Sequence, residues 1–380
     1  MLRPILYIFA HLILVLALLC ICHDLNGQTE KKSSSFIEAN FHFGENYYPG
    51  GDLEDELVNG YKGLDFRFGK QMYDPGNWSA VFNHVNYGVG YWVSDIGDTD
   101  IFSNPMAVFG FINFPIYRAK NIEVLFGPAL GLGFNMKPFD PITNPQNDLT
   151  GGRFAAYFNP SVSMAFKVSP SLDIKVGGNF IHMSNGGLRQ PNTGIDMYGL
   201  NVGVRYHLNR VAAFGDVDYT KIYPAKGKKN NIRSSSINLF QAIGGDQNPQ
   251  DLGDFQTYLV STTTLEYQYR FNELHGFSAG INLFYDESAP LSIAYPDHET
   301  KLFPGIHAGY DFHFWRLAIR QQFGYMITEA GQDIKAGFFM RLGLSADITE
   351  TLYFQAAVKS VHGFKADWAD FGFGVRLWKR

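Results

Sequence analysis

The sequence predicts an all-β fold, an antiparallel transmembrane β-barrel of about 14–16 strands, and its composition, hydropathy, alternation and connection lengths predict it. The 380 residues include 40 Gly and 34 Phe, yet only 18 % are charged, where soluble chains carry about a quarter. Mean hydropathy is close to zero, and no long apolar run follows the N-terminus, so a bundle of membrane helices is excluded. Apolar residues alternate with small or polar ones in segment after segment, which is how a barrel strand hides its apolarity. Finally, the connections between these segments alternate in length, as they do when short inner turns trade with long outer loops. A large soluble β-sandwich shares the alternation but not the low charge.

The first residues read as a secretory signal peptide over 1–27. Arg3 precedes an apolar run from Ile5 to Cys22 with no acidic residue, a polar stretch Asp24–Gly27 follows, and Gln28 is the expected mature start. The run is also long enough for an uncleaved anchor. Leu19 and Ile21 are too bulky for a lipoprotein site at Cys20 or Cys22. Both cysteines lie in this segment, so the mature chain is expected to be free of disulfides, and a closed sheet needs none. A net charge of −5 with no basic stripe speaks against nucleic acid as a partner. Lys226, Lys228 and Lys229 read as a solvated connection.

Alternating segments are expected near 35–44, 62–70, 83–93, 106–118, 122–136, 156–168, 171–184 and 196–208. A second set is expected near 235–244, 255–271, 276–285, 301–313, 315–327, 335–348, 352–361 and 366–378. In the fifth, Ile122, Val124, Phe126, Leu130, Leu132 and Phe134 form one row suited to lipid. Long connections (Glu45–Tyr61, Lys137–Ala155, Asn185–Ile195, Asp286–Thr300) follow odd segments. Tight ones (Ala119–Asn121, Ser169–Pro170, Asn272–His275, Ile348–Thr351) follow even segments. Odd strands therefore run outward from a periplasmic N-terminus. Two inner connections, Gln71–Phe82 and Asn209–Ser234, are too long for this rule. The second divides the chain into 28–208 and 209–380. One larger barrel, completed by the second half, is preferred because a closed sheet leaves no edge. Two joined units, or a barrel with a periplasmic insert, are the other solutions.

Residues 180–196, FIHMSNGGLRQPNTGID, hold the candidate chemistry. Side chains two apart share a strand face. His182 and Ser184 thus continue the lipid-facing row of Leu172, Ile174, Val176, Gly178 and Phe180, and they end it at the outer rim. Asp196 opens the lipid-facing row of the next strand, ahead of Tyr198, Leu200, Val202 and Val204. A serine hydroxyl needs a base to become a nucleophile, and a carboxylate orients and stabilises the imidazole. Ser184, His182 and Asp196 suit these roles, with Asn185 and the Gly186–Gly187 backbone as donors to an oxyanion. The alternative is a set of wet interfacial residues followed by an ordinary S-N-G-G loop start.

The run H-M-S-N-G-G-L, with an acid fourteen positions after the histidine, resembles the lipid A deacylase (PagL) family of acyloxyacyl hydrolases. The resemblance implies an eight-stranded outer-membrane barrel in the first half of the chain. It implies Ser184 as nucleophile, His182 as base, Asp196 in the acidic position, and an oxyanion hole of Asn185 and the Gly187 backbone. The implied reaction is removal of the ester-linked 3-hydroxyacyl chain of lipid A, with no metal or organic cofactor. The partner is lipopolysaccharide in the outer leaflet of a Gram-negative outer membrane. The usual acid is glutamate, so the shorter Asp196 must lie closer to His182. The resemblance stops near Leu208 and leaves 209–380 unexplained. A non-enzymatic porin and an outer-membrane phospholipase are the competing functions. Arg189 is a candidate contact for a lipid phosphate. His42, His84, His207, His307, His313 and His362 show no metal-ligand spacing. Glu45, Asn46, Asp52, Glu54, Asp55 and Glu56 read as a solvated loop rather than a calcium site.

Overall fold

The computed structural model describes residues 33–48, 53–57, 59–72, 78–119, 121–208, 233–247, 256–289, 301–327, 337–361 and 366–380. The expected leader 1–27, most of the 209–234 connection and its lysines, Asp52 and His362 lie outside them. The first strands are β1 (Ser33–Tyr47), β2 (Tyr61–Met72), β3 (Asn86–Asp95), β4 (Ser103–Arg118), β5 (Ile122–Phe126), β6 (Ala129–Met136), β7 (Ala155–Asn159), β8 (Ser161–Lys167), β9 (Leu172–Ser184) and β10 (Ile195–His207). The second set is β11 (Ser234–Asp246), β12 (Tyr258–Arg270), β13 (His275–Asp286), β14 (Leu302–Phe314), β15 (Leu317–Met326), β16 (Gly337–Asp347), β17 (Leu352–Val361) and β18 (Ala366–Lys379). All sixteen expected segments are present. Two of them are interrupted where a proline withdraws a backbone donor from the ladder. Pro128 separates β5 from β6, and Pro160 separates β7 from β8. β4 carries both halves of the first break, pairing Phe114 with Phe126 and Phe111 with Ala129.

The strands close into two eight-stranded antiparallel barrels, not the one larger barrel expected. β10 returns to β1, from Phe36↔His207 to Tyr47↔Asp196, and β18 returns to β11. The reason lies inside. An eight-strand barrel is just narrow enough for its own side chains to fill, and both halves supply the filling. In the first, Glu38 meets Lys175 Nζ at 2.5 Å and Arg205 Nε at 2.8 Å, while Asp65 meets Arg67 at 2.6 Å and His42 at 3.0 Å. In the second, Arg320 bridges Glu266 at 2.6 Å and Asp311 at 2.9 Å, and Arg341 pairs with Asp370 at 2.5 Å. Opposite this polar filling, exposed Ile174, Val176, Val202, Val204, Leu265 and Ile281 line the outer walls. His42, His207 and His307 belong to the lumen networks.

The outer third of the first lumen is apolar instead. Tyr61, Trp92, Tyr157, Ile181, Met183, Ile195 and Met197 pack there with Leu53, Leu57, Ile96 and Ile101 from the loops. In the same region Asn46 donates to the carbonyls of Leu57 and Ile96, so it ties loops together. At the inner rim the overlong connection after β2 has a use. Its 3-10 turn Trp78–Phe82 stacks Trp78 on Trp315 of the β14–β15 turn, with centroids 6.1 Å apart, and sets Phe82 against Phe312. At the outer rim Gln247, just past β11, bonds to Gly187 of the β9–β10 loop. The barrels therefore stand side by side with their outer ends on the same side.

Candidate hydrolytic site on the outer wall

The β9–β10 hairpin positions the site by strand parity. Ile181 and Met183 of β9, and Ile195 and Met197 of β10, point inward and are essentially buried. Gly133 leaves the space for Met183, since a Cβ there would stand 2.2 Å from Met183 Cε. With those residues anchored, alternation sends His182, Ser184 and Asp196 outward, in the rows of Phe180 and Tyr198 that face lipid. His182 lies directly across from Asp196 in the ladder, and Ser184 lies across from Ala156 of β7.

The short carboxylate reaches its partner. Asp196 Oδ1 is 2.6 Å from His182 Nδ1, with the His182 side chain 41 % and that of Asp196 21 % exposed. A neutral imidazole that donates from Nδ1 to this carboxylate presents Nε2 as its acceptor. Gly194, at φ +92°, passes close by, and a Cβ on it would lie 3.3 Å from His182 Cε1. Ser184 makes no hydrogen bond to His182. Its Oγ lies 3.0 Å from Asn192 Nδ2 and 3.2 Å from Asn192 Oδ1, and the Gly186 N–H points at it from 3.3 Å. Asn192 also accepts the Asn185 N–H at 3.0 Å.

Asn185 and Gly187 are part of the same loop but are turned into it. Asn185 Oδ1 accepts the N–H groups of Gly187 at 3.1 Å and Arg189 at 3.3 Å, while its Nδ2 donates to Arg189 O at 2.8 Å. The donors nearest Ser184 Oγ are thus Gly186 N–H and the Asn192 amide. Sequence reasoning missed Asn192. The available signal was an Asn-Thr-Gly turn four residues before the acid, but nothing in strand periodicity says which way a loop folds back. Arg189 sits half-buried at the edge of this loop. Among the described residues no group of three or more His, Cys, Asp or Glu side chains gathers as a metal site.

Two family models match the chain. Residues 60–205, the barrel that bears this site, match the lipid A 3-O-deacylase (PagL) model. Residues 235–380, which the motif resemblance left unexplained, match the acyloxyacyl hydrolase C-terminal domain. No curated protein matches. Among solved structures, Neisserial surface protein A is 13 % identical over 46 % of this chain and 97 % of its own, with a TM-score of 0.31. The Salmonella typhi outer membrane phospholipase dimer with bound calcium is 10 % identical over 93 % of this chain and 92 % of its own, with a TM-score of 0.17. The two family matches take in the first barrel from β2 to β10 and nearly all of the second, and the chain belongs to the PagL lipid A 3-O-deacylase family, a Gram-negative outer-membrane barrel protein with the family's C-terminal domain as its second barrel.

Proposed function

We propose that this protein is a serine ester hydrolase that removes an ester-linked acyl chain from lipid A in the outer leaflet. The observation that carries this reading is the His182–Asp196 pair, 2.6 Å apart on the lipid-facing wall, with Ser184 next in the same row. A soluble substrate gains nothing from a site on the wall, whereas a lipid arrives there by lateral diffusion.

In the proposed reaction, rotation about Cα–Cβ takes Ser184 Oγ from Asn192 toward His182 Nε2. Oγ attacks the ester carbonyl carbon as its proton passes to Nε2, and Asp196 stabilises the imidazolium. The tetrahedral oxyanion forms beside Oγ, where Gly186 N–H and Asn192 Nδ2 are the nearest donors. In this scheme Asn185 and Gly187 shape the loop that presents them. Collapse breaks the bond to the sugar oxygen, which takes the proton back from His182. Water, activated by the same imidazole, then releases the fatty acid from Ser184. Arg189 is the proposed contact for a lipid A phosphate.

Mass spectrometry of lipid A from cells producing wild type or Ser184→Ala tests the proposal. Loss of one hydroxyacyl chain with wild type only is expected. Unchanged lipid A with phospholipid turnover that needs Ser184 would instead identify a phospholipase, and unchanged lipid A with conductance a channel.

A further inference from the structure

The loop from Asn185 to Gln190 has two sides. One faces Ser184, and the other lies against the second barrel. Gln247 grips it at two points. Its backbone N–H donates to Gly187 O at 3.1 Å, and its Oε1 accepts the Gln190 N–H at 2.7 Å. Gln247 is 1 % exposed, so both bonds are sheltered from water. The glycines are pressed on β18. A Cβ at Gly186 would stand 2.7 Å from Ala369 Cβ, and one at Gly187 would stand 2.6 Å from Asp367 O. Both have left-handed φ, +67° and +91°, a conformation glycine adopts without penalty but does not hold by itself.

We propose that Gln247 is a positioning residue for ester hydrolysis, by which the second barrel holds the Gly187–Gln190 backbone and so keeps the Gly186 N–H and its neighbours aimed at the oxyanion. The inference rests on the serine-hydrolase reading above. Donors of this kind act because they are already in place when charge develops, and small misplacements are costly in rate. The second barrel thereby gains a role in the chemistry, as one wall of the hydrolytic loop.

The test uses the full-length protein folded in detergent, with purified lipid A as substrate and heat-modifiable gel migration as the check on folding. Gln247→Leu and Gln247→Ala remove the Oε1 acceptor and keep the backbone N–H. Each is expected to lower kcat about tenfold with KM within about twofold, and either one reads the effect if the other does not fold. Gln247→Glu retains an acceptor oxygen and is expected to restore most of the loss. Unchanged kcat in Leu and Ala, a loss confined to KM, or a Glu variant as impaired as Leu overturns the proposal. Wild type that hydrolyses nothing, or hydrolysis that survives Ser184→Ala, overturns the serine reading beneath it, so the two failures are distinguishable.

Discussion

Asp196 is a short acid, one methylene less than a glutamate, and register brings it to its partner. Cross-strand neighbours have Cβ atoms only about 4.5–5.5 Å apart, and His182 is the cross-strand neighbour of Asp196. The shorter arm therefore spans the gap at 2.6 Å. Asp196→Asn keeps the shape but offers Nδ1 a donor or a neutral acceptor, which loosens the tautomer. It is expected to reduce kcat by about 10²–10⁴ with little change in KM, measured by release of fatty acid from lipid A. Asn192→Ala tests a residue that only the folded loop reveals. Loss of one oxyanion donor costs about 10²–10³ in kcat, and a loss below about threefold would remove Asn192 from the oxyanion site. The outward facing of His182, Ser184 and Asp196 was legible in the sequence, because a strand's parity is decided by residues two apart. The inward turn of Asn185 and the return of Asn192 onto Ser184 were not, because loop hydrogen bonds obey no period.

The β9–β10 hairpin shows what holds such a site still. Every second residue of its outer half is clamped in an apolar core, so the outward residues inherit fixed positions. Met183 lies between His182 and Ser184 in sequence, is 1 % exposed, and fits the space left by Gly133. Met183→Ala opens a cavity and is expected to cost about 2–5 kcal/mol, read by guanidinium unfolding of the detergent-folded protein. If Met183→Ala leaves both stability and kcat unchanged, the inward anchoring is not what positions the site. The interruptions at Pro128 and Pro160 belong to the same scale. Alternation runs unbroken across 122–136 and 156–168, and hides them. The prolines themselves, each lacking a donor, were the signal that the ladder changes there.

Whether sixteen strands make one ring or two is decided at the scale of the whole molecule. Each segment looks the same in either arrangement, since alternation reports only the faces of a strand. Closure depends on what fills the ring. Here each set of eight carries enough long polar side chains to occupy its own interior, and the long Asn209–Ser234 connection was the one local sign of the division. The filled interiors also bear on the channel alternative. In the second barrel Arg320 holds both Glu266 and Asp311, and all three side chains are within 4 % of full burial. A conducting pore needs continuous water where these groups meet. Planar-bilayer recordings of the pure protein are therefore expected to show no current steps. Arg320→Met leaves two buried carboxylates without their cation. Breaking a buried pair from one side costs about 3–5 kcal/mol, so the guanidinium midpoint should fall sharply. If instead stability is unchanged and wild type conducts, the lumen charges are bathed in water, and the two barrels are pores rather than packed supports for a site on the wall.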